Sequence, residues 1–62
     1  ETVSDVQVLH SNAGYYIGRE YLDKDFDTWM PYDRLSVEYY PTRDIAQIAL
    51  DSNSYTPRGY LS

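Results

Sequence analysis

The sequence predicts a small α+β domain, a two- to three-stranded antiparallel sheet packed by one C-terminal helix. Three observations carry this. Apolar and polar residues alternate with period two on both sides of a turn signal between Val6 and Leu22. A helix-start signal stands at Thr42, with apolar residues at helical spacing after it. The chain has 62 residues, which is room for a single domain spanning 1–62, so a short helix has only the sheet to dock on.

The first strand is read from Val6, Val8 and His10 alternating with Gln7, Leu9 and Ser11. Ser11-Asn12-Ala13-Gly14 follows as a tight connection, because Asn and Gly tolerate positive φ. The second strand is Tyr15 to Leu22, with Tyr15, Ile17, Arg19 and Tyr21 on one face and Tyr16, Gly18, Glu20 and Leu22 on the other. Gly18 inside a strand signals a bulge or a close approach of another chain segment. Asp23-Lys24-Asp25-Phe26-Asp27 reads as a turn, and Thr28-Trp29-Met30 as a short third strand stopped by Pro31, which lacks an N–H. Leu35, Val37 and Tyr39 alternate with Ser36, Glu38 and Tyr40, a weaker extended pattern.

Thr42 is the expected N-cap, and Asp44 places an anion in the first turn, where the helix dipole favours it. The capping box is incomplete, since Ile45 stands where Glu or Gln would close it. Ile45, Ala46, Ile48, Ala49 and Leu50 make the apolar stripe, and Asn53 suits a left-handed stop. The tail, residues 54–62, reads as irregular and partly packed through Tyr55.

Composition narrows the function. Ten acids face five bases, a net charge of −5. Nucleic-acid binding rests on Lys and Arg displacing counterions, so this balance disfavours it, and an anionic membrane surface would repel the chain. Neither a spanning segment nor a signal peptide is recognisable. There is no Cys and one His, so thiolate zinc sites are excluded and no metal or other cofactor is expected.

Asp23, Asp25 and Asp27 have the spacing that opens an EF-hand loop, but the sixth position is Thr28, the twelfth is Arg34, and Pro31 interrupts the segment. A solvated acidic turn is the better reading. His10 and Ser11 are neighbours in a strand and point to opposite faces, so they cannot act as base and nucleophile together. No catalytic constellation is present, and the chain is expected not to be an enzyme.

Eight residues are Tyr, at 15, 16, 21, 32, 39, 40, 55 and 60. A core short of Leu and Ile uses some of them as filler, and about half are expected inside. The remainder supply contact area at low entropic cost. Trp29-Met30-Pro31-Tyr32 combines interface-anchoring residue types. The simpler expectation for Trp29 is a place in the core. Together with acids on either side, the segment nominates Asp23, Asp25, Asp27, Trp29, Tyr32 and Asp33 as the partner-binding residues.

The runs Ser11 to Arg19, Pro31 to Ser36 and Tyr39 to Thr42, with Ala46 and Leu50, resemble small proteins of phages and mobile elements. That resemblance implies an accessory protein of the host cytoplasm that binds a host factor. Proteins of that kind include inhibitors of nucleic-acid enzymes and of defence complexes such as CRISPR effectors, which offer carboxylates in place of DNA phosphates. The functional expectation is a non-enzymatic protein-binding module steered toward a partner with a basic surface. The alternative is a structural or accessory domain of a larger assembly with no inhibitory activity.

Overall fold

A computed structural model describes residues 2–58. It contains β1 (Gln7–Ser11), β2 (Gly14–Asp23), β3 (Thr28–Arg34) and α1 (Arg43–Asp51). The sheet is an antiparallel meander with β2 in the centre, and α1 packs on β1 and β2 but not on β3. This is the expected small α+β fold.

The β1–β2 connection is the two-residue turn Asn12-Ala13. The Ser11 hydroxyl accepts from the Ala13 N–H and donates to the Gly14 carbonyl. Gly14 has φ 130°, a conformation that a side chain would strain. Paired residues share a face, so Val8 and Ile17 form one side and Leu9 and Tyr16 the other.

β3 runs through Pro31 to Arg34, whereas the sequence reading stopped it at Met30. The reason is position. β3 lies at the sheet edge, where a missing N–H is tolerated. Next to Pro31 the register slips: Arg19 pairs with Asp33 and Glu20 with Pro31, leaving Tyr32 as the extra residue of a β-bulge. The bulge puts Tyr32 and Asp33 on the same side as Arg19 and Tyr21. Arg19 donates from Nε and Nη2 to the two Asp33 oxygens at 3.2 and 2.5 Å, and the Tyr32 ring meets both Arg19 and Tyr21.

Both neighbours of β2 break off, and in each gap a serine hydroxyl continues the ladder. On the β1 side, residues 2–4 resume the pairing beyond Asp5-Val6, and Ser4 Oγ accepts the Glu20 N–H at 2.9 Å. On the β3 side, the Leu35 and Ser36 amides both donate to the Ile17 carbonyl. Ser36 Oγ accepts the Ile17 N–H at 3.1 Å and donates to the Glu38 carbonyl at 2.8 Å. Ser36 is fully buried. The weaker extended pattern from Arg34 to Tyr40 is therefore not a strand of its own. It holds one bridge to residue 57 and one pair of backbone bonds between Tyr40 and Tyr15.

Thr42 caps α1 as expected, its Oγ1 accepting from the Ile45 N–H, an arrangement worth about 1 kcal/mol. Asn53 takes φ 54°. The Arg43 guanidinium lies 5.4 Å from the Tyr15 ring centre, which places the helix on the Ile17 side of the sheet. The core is Val8, Leu9, Tyr16, Ile17, Ala46 and Ala49. The apolar stripe is only partly used: Ile45 is 45% and Ile48 66% exposed. At about 100° per residue, Ile48 points about 130° away from the direction that Ala46 and Ala49 share. Two alanines at the contact also let the helix axis come close to the strands, which a larger pair would prevent.

The tail is tied down as far as it is described. Val37 N–H donates to the Thr56 carbonyl and Arg58 N–H to the Leu35 carbonyl. Tyr55 is half-buried. Residues 59–62, Tyr60 among them, lie outside the described part. The Glu38 carboxylate accepts from the Thr56 hydroxyl at 2.5 Å and from its N–H at 3.0 Å. These bonds hold Glu38 below the usual carboxylate range, the hydroxyl bond contributing most. A depressed carboxyl stabilises the fold above its unfolded value and loses that contribution as pH falls through its folded value. Acid denaturation followed by circular dichroism is therefore expected to show a shallower slope in Glu38→Gln than in the wild type. Identical slopes would show that this clamp does not contribute.

Candidate functional site

The β2–β3 turn, Lys24 to Asp27 with Asp23 directly before it, carries the densest charge of the chain. Two of its acids have local work. Asp23 Oδ1 accepts the Asp25 N–H at 3.0 Å, an Asx turn that starts the reversal. Asp27 adopts φ 53°, a left-handed conformation that Asp tolerates better than most residues. Asp25 and Lys24 project from the tip between them.

Beside these acids stand two exposed aromatic residues. Phe26 is 76% and Trp29 46% exposed. The core place expected for Trp29 is not where the structure puts it. Trp29 pairs with Leu22 at the edge of the sheet, on the side that α1 does not cover. Phe26 was not singled out by sequence reading, since one apolar residue in an acidic turn has no periodicity to mark it. A depression of about 460 Å³ lies against the same turn, lined by Tyr21, Leu22, Asp23, Lys24 and Asp25.

The six nominated residues do not form one patch. Asp23, Asp25, Asp27 and Trp29 gather at the hairpin tip. The bulge turns Tyr32 and Asp33 to the opposite side from Trp29, and the Asp33 carboxylate is engaged by Arg19. Tyr32 remains half-exposed there, with Met30 near it because Met30 pairs with Tyr21. Arg19 holds the Asp33 carboxylate on this side, and its guanidinium lies 5.5 Å from the centre of the Tyr32 ring.

His10 is exposed and its ring lies 4.5 Å from that of Tyr15 across the strand pair. Among the described residues no group of three His, Cys, Asp or Glu side chains could hold a metal ion, and no helix is long and apolar enough to cross a membrane. Tyr16 is buried, Tyr15, Tyr21, Tyr40 and Tyr55 are half-buried, and Tyr32 and Tyr39 are exposed. No family model, curated protein or solved structure matches the chain.

Proposed function

We propose that the chain is a non-enzymatic protein-binding module that sets its β2–β3 hairpin tip into a basic groove of a partner protein. The observation that carries this reading is the pairing of exposed Phe26 and Trp29 with Asp23, Asp25 and Asp27 at one end of the sheet. Carboxylates there steer the approach to a cationic surface. The two rings supply the desolvated area that acids alone lack. A groove built to hold phosphates, as in a host nucleic-acid enzyme or a CRISPR-type defence complex, has the complementary chemistry, and occupation of it would inhibit.

The test begins with capture of a partner from the natural host by the tagged protein, then measures the affinity of that complex. The triple change D23N, D25N and D27N removes three charges but keeps the turn acceptor at 23 and the left-handed tolerance at 27. It is expected to weaken the complex about tenfold at low salt, and added salt is expected to weaken the wild-type complex in the same direction. Trp29→Ala is expected to weaken it at every salt concentration. Affinity unaffected by both salt and the triple change would end the electrostatic reading.

A second reading has its own observation, the outward-facing Ile45 and Ile48. These would be the contact of an accessory domain within a larger assembly. That contact would be lost in Ile48→Asp and insensitive to salt.

A further inference from the structure

The geometry points to a binding site for a carboxylate-bearing ligand in the depression between Tyr16, Tyr39, Arg34 and Arg58. The site lies on the sheet face away from α1 and is distinct from the hairpin tip. The depression has a volume of about 340 Å³, and Pro31 forms part of its wall.

The charge arrangement is the first argument. Ten acids are available to five bases in this chain, yet two arginines share this one depression. The single ion pair among the described residues is Arg19 with Asp33, so neither Arg34 nor Arg58 has a carboxylate partner there. Asp33 reaches the rim, but both of its oxygens are held by Arg19. Glu20, which acts on Tyr16 through its charge, accepts from Gln7 Nε2. Within the depression two guanidiniums meet one carboxylate, and that carboxylate is already engaged.

The second argument is the state of the Arg34 guanidinium. Its carbon lies 4.7 Å from the centre of the Tyr39 ring, and Nη1 donates to the Tyr39 hydroxyl. That contact engages Nη1 and leaves the Nε edge of the group over. Its Nε is buried without a hydrogen-bond partner. A buried unpaired donor is costly, and a charged one more so. The Nε edge of a guanidinium is the edge that presents two parallel N–H bonds to a planar carboxylate. A small rotation about the Tyr39 contact would open that edge to a ligand, and Arg58 would add the second charge. The rings of Tyr16 and Tyr39 and the Pro31 ring give the cavity apolar walls, so the preferred ligand carries its carboxylate on a flat apolar body.

The intact protein titrated with benzoate, with acetate and inorganic phosphate as separate arms, provides the test by ¹H–¹⁵N NMR. The expected result is a saturable shift of the Arg34 Nε–H resonance, with benzoate bound more tightly than acetate and phosphate weakest. Arg43 is the internal control, because it also sits over a tyrosine ring and is outside the lining of this depression. Arg34→Lys keeps the charge and loses the edge, and is expected to weaken benzoate about tenfold. Arg58→Gln is expected to weaken it about threefold through lost charge alone. Parallel, unsaturated movement of the Arg34 and Arg43 signals would overturn the assignment, as would equal benzoate affinity in the wild type and Arg58→Gln. Tighter binding of phosphate than of benzoate would overturn the ligand class. Should Arg34→Lys lose its dispersed spectrum, the wild-type Nε–H signal and the Arg58→Gln arm decide.

Discussion

Replacing Gly18 with alanine is expected to lower the stability of the domain by about 3 kcal/mol, the upper part of the usual range for overpacking. A Cβ at this position would fall inside van der Waals distance of the Asp33 carbonyl oxygen and 3.0 Å from Tyr16 Cε2. The first neighbour is main chain and cannot turn aside. It is also main chain held by the bulge, whose Asp33 is clamped to Arg19. Relief would therefore have to come from separating β2 and β3, which breaks the ladder on which Tyr32 and Asp33 depend. A domain of this size has a stability of ~5 kcal/mol. The loss would lower the thermal midpoint by about 15 °C, measured by circular dichroism or calorimetry. An unchanged midpoint would mean that the strands separate at no cost, contrary to the packing described.

Ser36→Ala is the second large effect, expected at about 2 kcal/mol. The hydroxyl stands in for a backbone carbonyl opposite the Ile17 N–H and returns its own proton to the Glu38 carbonyl. Removing it leaves a donor and an acceptor without partners in a place that water does not reach, since Ser36 and Ile17 are both fully buried. The penalty is that of desolvated, unpaired groups rather than of one lost bond. Urea denaturation should show a lower midpoint with an unchanged slope. Hydrogen exchange should locate the change at the Ile17 amide, which is expected to exchange faster relative to the other β2 amides. A midpoint within error of the wild type would show that water, or a shifted carbonyl, takes the place of the hydroxyl.

These two residues also show where sequence reading stops. β1, β2 and α1 were legible because each depends on a local signal: alternation, a Gly-containing turn, a threonine cap. Gly18 was legible in kind, as a bulge or close approach, and the structure has both next to it. Pro31 misled because the rule against it holds for inner strands, and whether a strand is at an edge is a property of the whole sheet. Ser36 gave no signal, since a serine that replaces a carbonyl across nineteen residues of sequence looks like any other serine. Of the nominated site, the acids and Trp29 are at one end because they flank one turn. Tyr32 and Asp33 are separated from them by a single-residue slip in register, which period-two counting cannot foresee. Trp29 was expected inside on size alone. It is outside because its strand position turns it to the sheet face that α1 does not cover.

The bulge and Pro31 have a consequence for how copies of this chain meet. An open strand edge is a template on which further strands can add, and a small domain with three strands has two such edges. β3 carries Pro31 and a residue out of register in its middle, so its outer row of donors is interrupted and its twist is locally raised. Growth of a continuous intermolecular sheet from that side would stall within a few residues. The other edge is interrupted as well, since Asp5 and Val6 leave the ladder between residues 2–4 and the five residues of β1. The interruptions thus remove the backbone route to edge-to-edge pairing from a chain that exposes Phe26, Trp29, Ile45 and Ile48.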